Sequence, residues 1–373
     1  MIGYRIMSIT CDVLVVGGGP AGLTSAIILG KKGFSTIVIE KNKRFGRQHS
    51  SYDITEGSRI RFILDEMKIK PSKISSVSEW FSPNHSHVLD SRIQDYYFKR
   101  GPMQDSLEQM LGKKIKNTHT KVFFESQIHS VKLEKKEITS VSVHTPHKNI
   151  VIQPQYIIGA DGPESGLRKK LNIETKVFAT FKGCGILVET KKNDTFPHAK
   201  IFFDREHAPG GYVYCGSVGR ESFFCVVTDE KISKNIMLRK NLDLFLKKKI
   251  DLDFKTKNYF FGKGVSGIFK LKNSNVLLVG GAGLFYDPFL GYGLNYAIES
   301  GYNAAQAILK NDIRMYSNYV KDIQQEIIGM SQIRKIWRTA DNRLFDKLIQ
   351  TFNGRIDTKD KQINIIQKLF SEE

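Results

Sequence analysis

Three glycines near the start of the chain, Gly17, Gly19 and Gly22, stand in the order G-x-G-x-x-G. Glu40 follows 18 residues after the last of them. Glycines at this spacing suit a tight turn, a backbone that comes close to a pyrophosphate, and a helix packed hard on its sheet. A carboxylate at this distance suits the hydroxyls of an adenosine ribose. A second cluster, Gly159-Ala160-Asp161-Gly162, offers an acid beside small residues. A third, from Gly280 to Gly293, offers five glycines with Asp287 as its first carboxylate. The chemistry these residues point to is the holding of a planar, anionic dinucleotide.

The elements that must position them are legible around each cluster. "DVLVV" is a short apolar run of the kind a doubly covered parallel strand needs. "AGLTSAIILGKKG" then reads as a helix with Leu23, Ala26, Ile27 and Gly30 inward, and "STIVIE" as a second strand ending at Glu40. "YIIGADGPESGLRKKLNI" is another strand, turn and helix start, with Ser165 and Arg168 opening the helix. Asp161 in that turn suits either flavin phosphate and ribityl groups or a nicotinamide. "VLLVGGAGLFYDPFLGYGLNYAIESGYNAAQAI" is a strand, a glycine-rich turn and a helix starting near Leu294. Glutamate at position 40 disfavours a phosphorylated ribose and so NADP. FAD and NAD remain for the first motif, and the order of the three motifs selects FAD.

That order, "GGGPAG…E", "GADGPES", "VGGAGLFYDPFLGYGLNYAIESG", resembles the FAD-dependent para-hydroxybenzoate hydroxylase superfamily. Within it, the chain most resembles the geranylgeranyl reductase family of archaea and plants. "PFLGYGLNYAIESGYNAAQAI", "YYFKRGPMQDSLEQML" and "PGGYVYCGSVG" are the segments that carry the likeness. The resemblance covers roughly residues 10–310. It implies a Rossmann-like α/β FAD-binding domain, an inserted mixed or antiparallel substrate sheet, and a helical C-terminal region. The corresponding boundaries are 8–70, 96–170 and 271–310 for the cofactor domain, 71–95 and 171–270 for the sheet domain, and 311–373 for the helices.

The implied activity is reduction of carbon–carbon double bonds in geranylgeranyl chains of lipid precursors. The alternative is an FAD-dependent hydroxylase acting on an apolar or aromatic substrate. A third class is a lipid carrier without redox function. The implied cofactor residues are Gly17, Gly19, Pro20, Ala21, Gly22, Glu40, Lys41, Arg47, Gln48, Arg100, Ala160, Asp161, Gly162, Gly281, Asp287, Gly291, Gly293 and Leu294. A helix beginning at Leu294 would point its positive end at an anionic reduced flavin. Phe202, Tyr212, Tyr214 and Pro288 are the substrate-side candidates, with Phe224 as a further tunnel wall, and Tyr212, Tyr214 and His49 are candidate proton donors.

The chain departs from the family pattern at Gly281, where the family has Asp after the last strand. Read from sequence, Gly281→Asp should leave FAD binding intact or tighten it. The aromatic strand has Tyr214 for tryptophan and Gly216-Ser217 for Phe-Pro, and "FGRQHSSYDITEG" lacks a cysteine common in relatives.

Composition narrows the remaining classes. At 373 residues, 40% hydrophobic and 11% aromatic, the chain has ample core for two domains. Cys11, Cys184, Cys215 and Cys225 are scattered, so neither a disulfide framework nor a metal site is expected. The net charge of +19 fits an anionic membrane surface, an acidic electron carrier, or merely a solvated basic surface. No nucleic-acid module is visible, and no nucleic-acid partner is expected. The expected partners are an isoprenoid lipid and an external electron donor, either ferredoxin-like or NAD(P)H-dependent.

"VLVVGGGPAGLTSAIILG" is neither signal peptide nor membrane span, because five glycines and a proline interrupt it. A cytoplasmic protein is the expectation, with a monomer favoured over an oligomer and peripheral contact at the inner membrane face open beside packing of the last helices on the core. Residues 175–270 alternate apolar and polar, as a half-covered sheet does. After Asp312, apolar residues at helical spacing (Ile323, Ile327, Ile333, Ile336, Trp337, Leu344, Leu348, Phe352) fit either a membrane surface or the protein core.

Overall fold

In the computed structural model, residues 7–232, 237–250, 258–271 and 275–351 are described. The strands are β1 (Met7–Val16), β2 (Thr36–Ile39), β3 (Ser51–Glu56), β4 (Lys73–Phe81), β5 (Ser86–Arg100), β6 (Thr120–Phe123), β7 (Gln127–Glu134), β8 (Glu137–His144), β9 (Asn149–Gly159), β10 (Glu174–Glu189), β11 (Ala199–Phe202), β12 (Tyr212–Val218), β13 (Glu221–Asp229), β14 (Tyr259–Lys270) and β15 (Val276–Leu278). The helices are α1 (Pro20–Lys31), α2 (Arg61–Met67), α3 (Leu107–Ile115), α4 (Gly166–Lys170), α5 (Leu238–Phe245), α6 (Leu294–Leu309), α7 (Ile313–Thr339) and α8 (Asn342–Thr351).

The apolar run at Val13–Val16 pairs in parallel with β2 on one side and β9 on the other. Such a strand is covered on both faces, which is why it reads as continuous hydrophobics. It sits near the centre of a seven-stranded sheet ordered β6-β2-β1-β9-β8-β7, with β15 on β9. Leu23, Ala26 and Ile27 of α1, Ile298 of α6 and Leu111 of α3 pack on one face. The ends of β1, β9 and β15 therefore converge, and each is followed by one of the three glycine-rich turns. This is where a doubly wound sheet binds its ligand.

The second sheet has eight strands in the order β14-β10-β13-β12-β11-β4-β5-β3. All neighbours are antiparallel except β11 and β4. Its extent differs from the expected boundaries. β3 and the last residues of β5, Tyr96–Arg100, pair with each other in this sheet, although both stretches were expected with the cofactor domain. One face packs Cys184, Ile186, Val213, Cys215, Phe224 and Val226 against Leu242, Phe245 and Leu246. The opposite face looks into the cleft between the sheets.

α7 and α8 lie against the sheet. Met330, Ile333, Trp337, Phe345, Leu348 and Ile349 form a core with Trp80, Phe203, Tyr212 and Phe289. Of the expected helical set, Ile336 is exposed and Phe352 lies outside the described residues. The guanidinium of Arg334 is buried under this contact and donates to Asp229 Oδ2 (2.7 and 3.0 Å), to Phe289 O and to Gly210 O. Among the described residues, no helix is long and apolar enough to cross a membrane.

Candidate active site

The turn after β1 is shaped by what a side chain would strike. Gly17 has φ +110°, and a Cβ there would lie 2.4 Å from Ala160 O. A Cβ at Gly22 would lie 2.1 Å from Gly17 O, so the helix can enter this close to the turn only with glycine. At Gly19 nothing among the described residues stands within 4 Å of a Cβ, because this position faces open space. Gly19 is also the N-cap of α1, which has no side-chain cap, so its first backbone N–H groups are left for an anion. Glu40 is buried at the end of β2. Its Oε2 accepts from the Gly18 N–H at 2.8 Å, and its Oε1 accepts from both nitrogens of Asn42. Oε1 accepts twice, but Oε2 accepts once and keeps a second lone pair, so Glu40 can hold the turn and still accept from a ribose.

The second turn adds a clearer signal. Asp161 Oδ2 accepts from the Leu167 N–H at 3.0 Å, which caps α4, while its Oδ1 is buried with no partner among the described residues. A buried acceptor without a donor costs stability unless a ligand supplies one. Gly162, at φ +82°, again has nothing among the described residues within 4 Å of a Cβ. Arg168 donates to Pro163 O and to Ala282 O, both at 2.6 Å, and so clamps the second turn to the third.

The third turn explains the absent aspartate. A Cβ at Gly281 would lie 2.9 Å from both Pro163 N and Pro163 Cδ, and 3.2 Å from Gly162 C. A Cβ there would require the Pro163 turn to shift, which argues against the expectation that Gly281→Asp leaves FAD binding intact or tightens it. Asp287 does not replace it either. Its Oδ1 accepts from the N–H groups of Phe289 (2.7 Å) and Leu290 (2.8 Å), holding the turn that carries Gly291. α6 starts at Leu294 with Gly293 as N-cap, and Thr55 Oγ1 accepts from the Asn295 N–H at 3.2 Å, so this second helix start at the cleft is capped in part by β3.

Gly19, Pro20, Ala21, Arg47, Arg100, Ala160, Gly162, Gly281, Gly291, Gly293 and Leu294 line a cleft against the inner face of the large sheet. Gly17, Glu40, Lys41, Gln48 and Asp161 line its continuation along the first turn. Arg100 is less free than a phosphate ligand would be. It is buried between Glu108 (2.6 Å) and Asp53, and Arg47 lies 3.8 Å from the same Asp53. Burial pushes the Asp53 carboxyl up, but Arg100 and Arg47 outweigh it and hold it below the usual range.

On the sheet side the cleft is lined by Phe181, Tyr212, Tyr214, Cys225, Val227 and Phe260, with Tyr286 and Tyr292 from the third turn. Tyr212 Oη donates to Leu290 O at 2.5 Å, tying the sheet to that turn. Burial raises the pKa of all four tyrosines and pushes the Cys225 thiol up to about 12. These hydroxyls therefore stay protonated at neutral pH.

Four expected residues are placed elsewhere. Phe202 packs on Phe81 and Phe245 on the outer face of the sheet, and Phe224 faces the same way. His49 is exposed and is not among the cleft-lining residues. Pro288 is buried within the third turn, away from the lining. Residues missed in the sequence include Asp53, Phe181, Tyr286 and Tyr292, and also Gly183 and Gly262 of the "FKGCG" and "FFGKG" strands. For the glycines the signal was present, as glycine inside a strand marks either a bulge or a close approach.

The cleft fits FAD on its own geometry. Two glycine positions open onto it, Asp161 Oδ1 lacks a donor among the described residues, Glu40 sits at the ribose position, and the starts of α1 and α6 face it, that of α1 without a side-chain cap.

Comparison with known proteins agrees. The chain is 27% identical over 342 residues to digeranylgeranylglycerophospholipid reductase 3 of Methanosphaera stadtmanae, covering 83% of this chain and 82% of that one. It is 28% identical over 378 residues to digeranylgeranylglycerophospholipid reductase of Thermoplasma volcanium, covering 94% and 93%. Its fold is similar to a geranylgeranyl bacteriochlorophyll reductase-like protein from Thermoplasma acidophilum, with a TM-score of 0.81, 20% identity and coverage of 98% and 96%. It is also similar to a flavin-dependent brominase, with a TM-score of 0.72, 16% identity and coverage of 97% and 98%. Residues 10–311 match the family described as FAD binding domain. The chain belongs to that family and is an FAD-dependent oxidoreductase.

Proposed function

We propose that this protein reduces carbon–carbon double bonds in the geranylgeranyl chains of a lipid precursor. The observation that carries the reading is the character of the cleft wall facing the cofactor turns. Phe181, Tyr212, Tyr214, Cys225, Val227 and Phe260 form an apolar, aromatic surface suited to an uncharged hydrocarbon. The relatives named digeranylgeranylglycerophospholipid reductases support the same substrate class.

Reduced FAD, when bound, supplies the hydride for such a reaction. The chain's own share is binding, orientation and the proton. Gly19, Glu40 and Asp161 would hold the adenosine and ribityl ends of the cofactor, and the positive end of α6 at the cleft would favour negative charge on its ring system. An isolated alkene is not polarised, so positioning must lower much of the barrier. The aromatic wall excludes water and fixes the chain. Tyr214, beside the Cys225 thiol, presents a protonated hydroxyl in the wall, and we assign it as the proton holder. Tyr212 is committed to Leu290 O and serves position rather than proton transfer. The electrons come from an external donor, ferredoxin-like or NAD(P)H-dependent, and the basic surface of this protein suits an acidic carrier.

The test is anaerobic stopped-flow spectroscopy of the dithionite-reduced holoprotein. Mixing with a geranylgeranyl glycerophospholipid should reoxidise the flavin, whereas the saturated lipid should not. NAD(P)H-driven oxygen uptake stimulated by an aromatic substrate would instead establish a hydroxylase.

A further inference from the structure

The large sheet carries a furrow that runs across its strands. On the inner face, Tyr212 of β12 is in register with Val227 of β13, Val227 with Gly183 of β10, and Gly183 with Gly262 of β14. The row two residues to one side is Tyr214, Cys225, Gly185 and Phe260, and there the Phe260 ring lies over Gly185, where a Cβ would be 2.3 Å from it. On the other side stand Phe181 and Gly264, and the Tyr286 ring covers Gly264, 3.1 Å from where its Cβ would be. Both flanking rows are filled with rings. Between them, the outer half of the middle row has no side chain.

Structure does not demand these two glycines. Nothing among the described residues lies within 4 Å of a Cβ at Gly262, and at Gly183 the nearest atom is 3.5 Å away, an ordinary contact. Neither has positive φ. Glycine in a strand interior lowers stability and gives no cross-strand packing. Two of them directly opposed, at the edge of the sheet, leave a trough where β-branched residues would fit. β14 is the edge strand, so the trough opens beyond Val227 and runs outward to the rim, in line with Tyr212 in the cleft. The row from Tyr212 to Gly262 spans three strand spacings, roughly 14 Å, and its outer part over β10 and β14 is free of side chains. Its floor is about 7 Å wide, the spacing of residues i and i+2 on one face.

We propose that the Gly183–Gly262 furrow seats the isoprenoid chain of the substrate and selects for chain length. An apolar floor, ring-lined walls and the width of a single methyl-branched chain match that ligand. The furrow lets a long chain extend past the reacting bond to the sheet edge. A five-carbon prenyl group would stay near Tyr212 and not reach it. This inference rests on the reading of the protein as an isoprenoid reductase, and it names residues which that reading leaves without a role.

The experiment uses FAD-loaded protein and the variants Gly183→Val and Gly262→Val, with Phe261→Val, an exposed residue on the other face of β14, as control. Geranylgeraniol and 3-methyl-2-buten-1-ol are titrated while the flavin absorbance is followed, and melting temperature and FAD affinity are measured in parallel. Both valine variants should keep their FAD affinity and melt at or above the wild-type temperature, since valine suits a strand. They should bind geranylgeraniol at least tenfold more weakly, with less than a twofold change for the five-carbon alcohol. Geranylgeraniol affinity within twofold of wild type would overturn the furrow while leaving the reductase reading intact. Loss of FAD would overturn it also, by showing that the row seats the cofactor. If wild type binds geranylgeraniol, the valine variants lose it and no lipid is ever reduced, the furrow stands and the reductase reading falls.

Discussion

Gly281 offers the most informative single change. Replacing it with alanine or aspartate puts a Cβ 2.9 Å from Pro163 N and Cδ, about half an ångström inside ordinary contact. The neighbouring turn cannot easily yield, because Arg168 ties Pro163 O and Ala282 O together at 2.6 Å each. Overpacking of this kind costs about 1–3 kcal/mol. Were that cost to fall on the FAD-bound form, it would be a loss of roughly 5- to 150-fold in affinity. Gly162, 3.2 Å from the same point, lines the cleft, so its displacement acts on the cofactor directly. Isothermal titration of FAD into apoprotein, with the melting temperature of the apo form, checks both parts. Alanine and aspartate should each lower the melting temperature and weaken FAD binding, and removing the ring in Pro163→Ala should recover part of the loss in the alanine variant. An aspartate variant that binds FAD as tightly as wild type, with an unchanged melting temperature, would refute the steric reasoning.

Other perturbations follow from the buried charges. Arg100→Ala strands Glu108 and Asp53, and breaking a buried pair costs about 3–5 kcal/mol, so the urea midpoint should fall sharply even without FAD. At Asp229, burial raises the carboxyl pKa, but Arg334 and Arg338 outweigh it and hold it below 3.8. Its folded pKa is depressed, so its contribution is complete above about pH 4 and is lost as pH falls below that. Arg334→Met should therefore lower stability at neutral pH and flatten the acid limb of the stability profile. Asp95 lies directly opposite Glu56, and burial first, then Glu56, raises its pKa to about 7. The folded state thus binds the extra proton between about pH 4 and pH 7, and stability falls as pH rises through that window. Asp95→Asn should raise the melting temperature at pH 8 and change it little near pH 4.

The sequence made the cofactor half of this protein readable because its constraints are local. A glycine that would collide with a carbonyl, a helix that must start at Leu294, and an acid that ends β2 each leave a mark within a few residues. The substrate half was less legible. Period-two alternation shows that β11 and β13 have two faces without saying which one the cleft uses, and so Phe202 and Phe224 were assigned to the wrong side. Arg100 was visible as a conspicuous cation, but its partners Glu108 and Asp53 come together only through the β3–β5 pairing and α3. The reason for Gly281 lies in Pro163, a neighbour on a different turn, which no local pattern announces. His49 lacked any such anchor and lies on the exposed surface.

The central claim is that electrons from the FAD of this protein reach the double bonds of a geranylgeranyl chain. It is tested most directly by incubating the dithionite-reduced holoprotein, without oxygen, with a geranylgeranyl glycerophospholipid and weighing the lipid by mass spectrometry. The account predicts a mass gain of two hydrogens for each bond reduced, abolished when FAD is removed. A lipid of unchanged mass in the presence of fully reduced, FAD-loaded protein would contradict it.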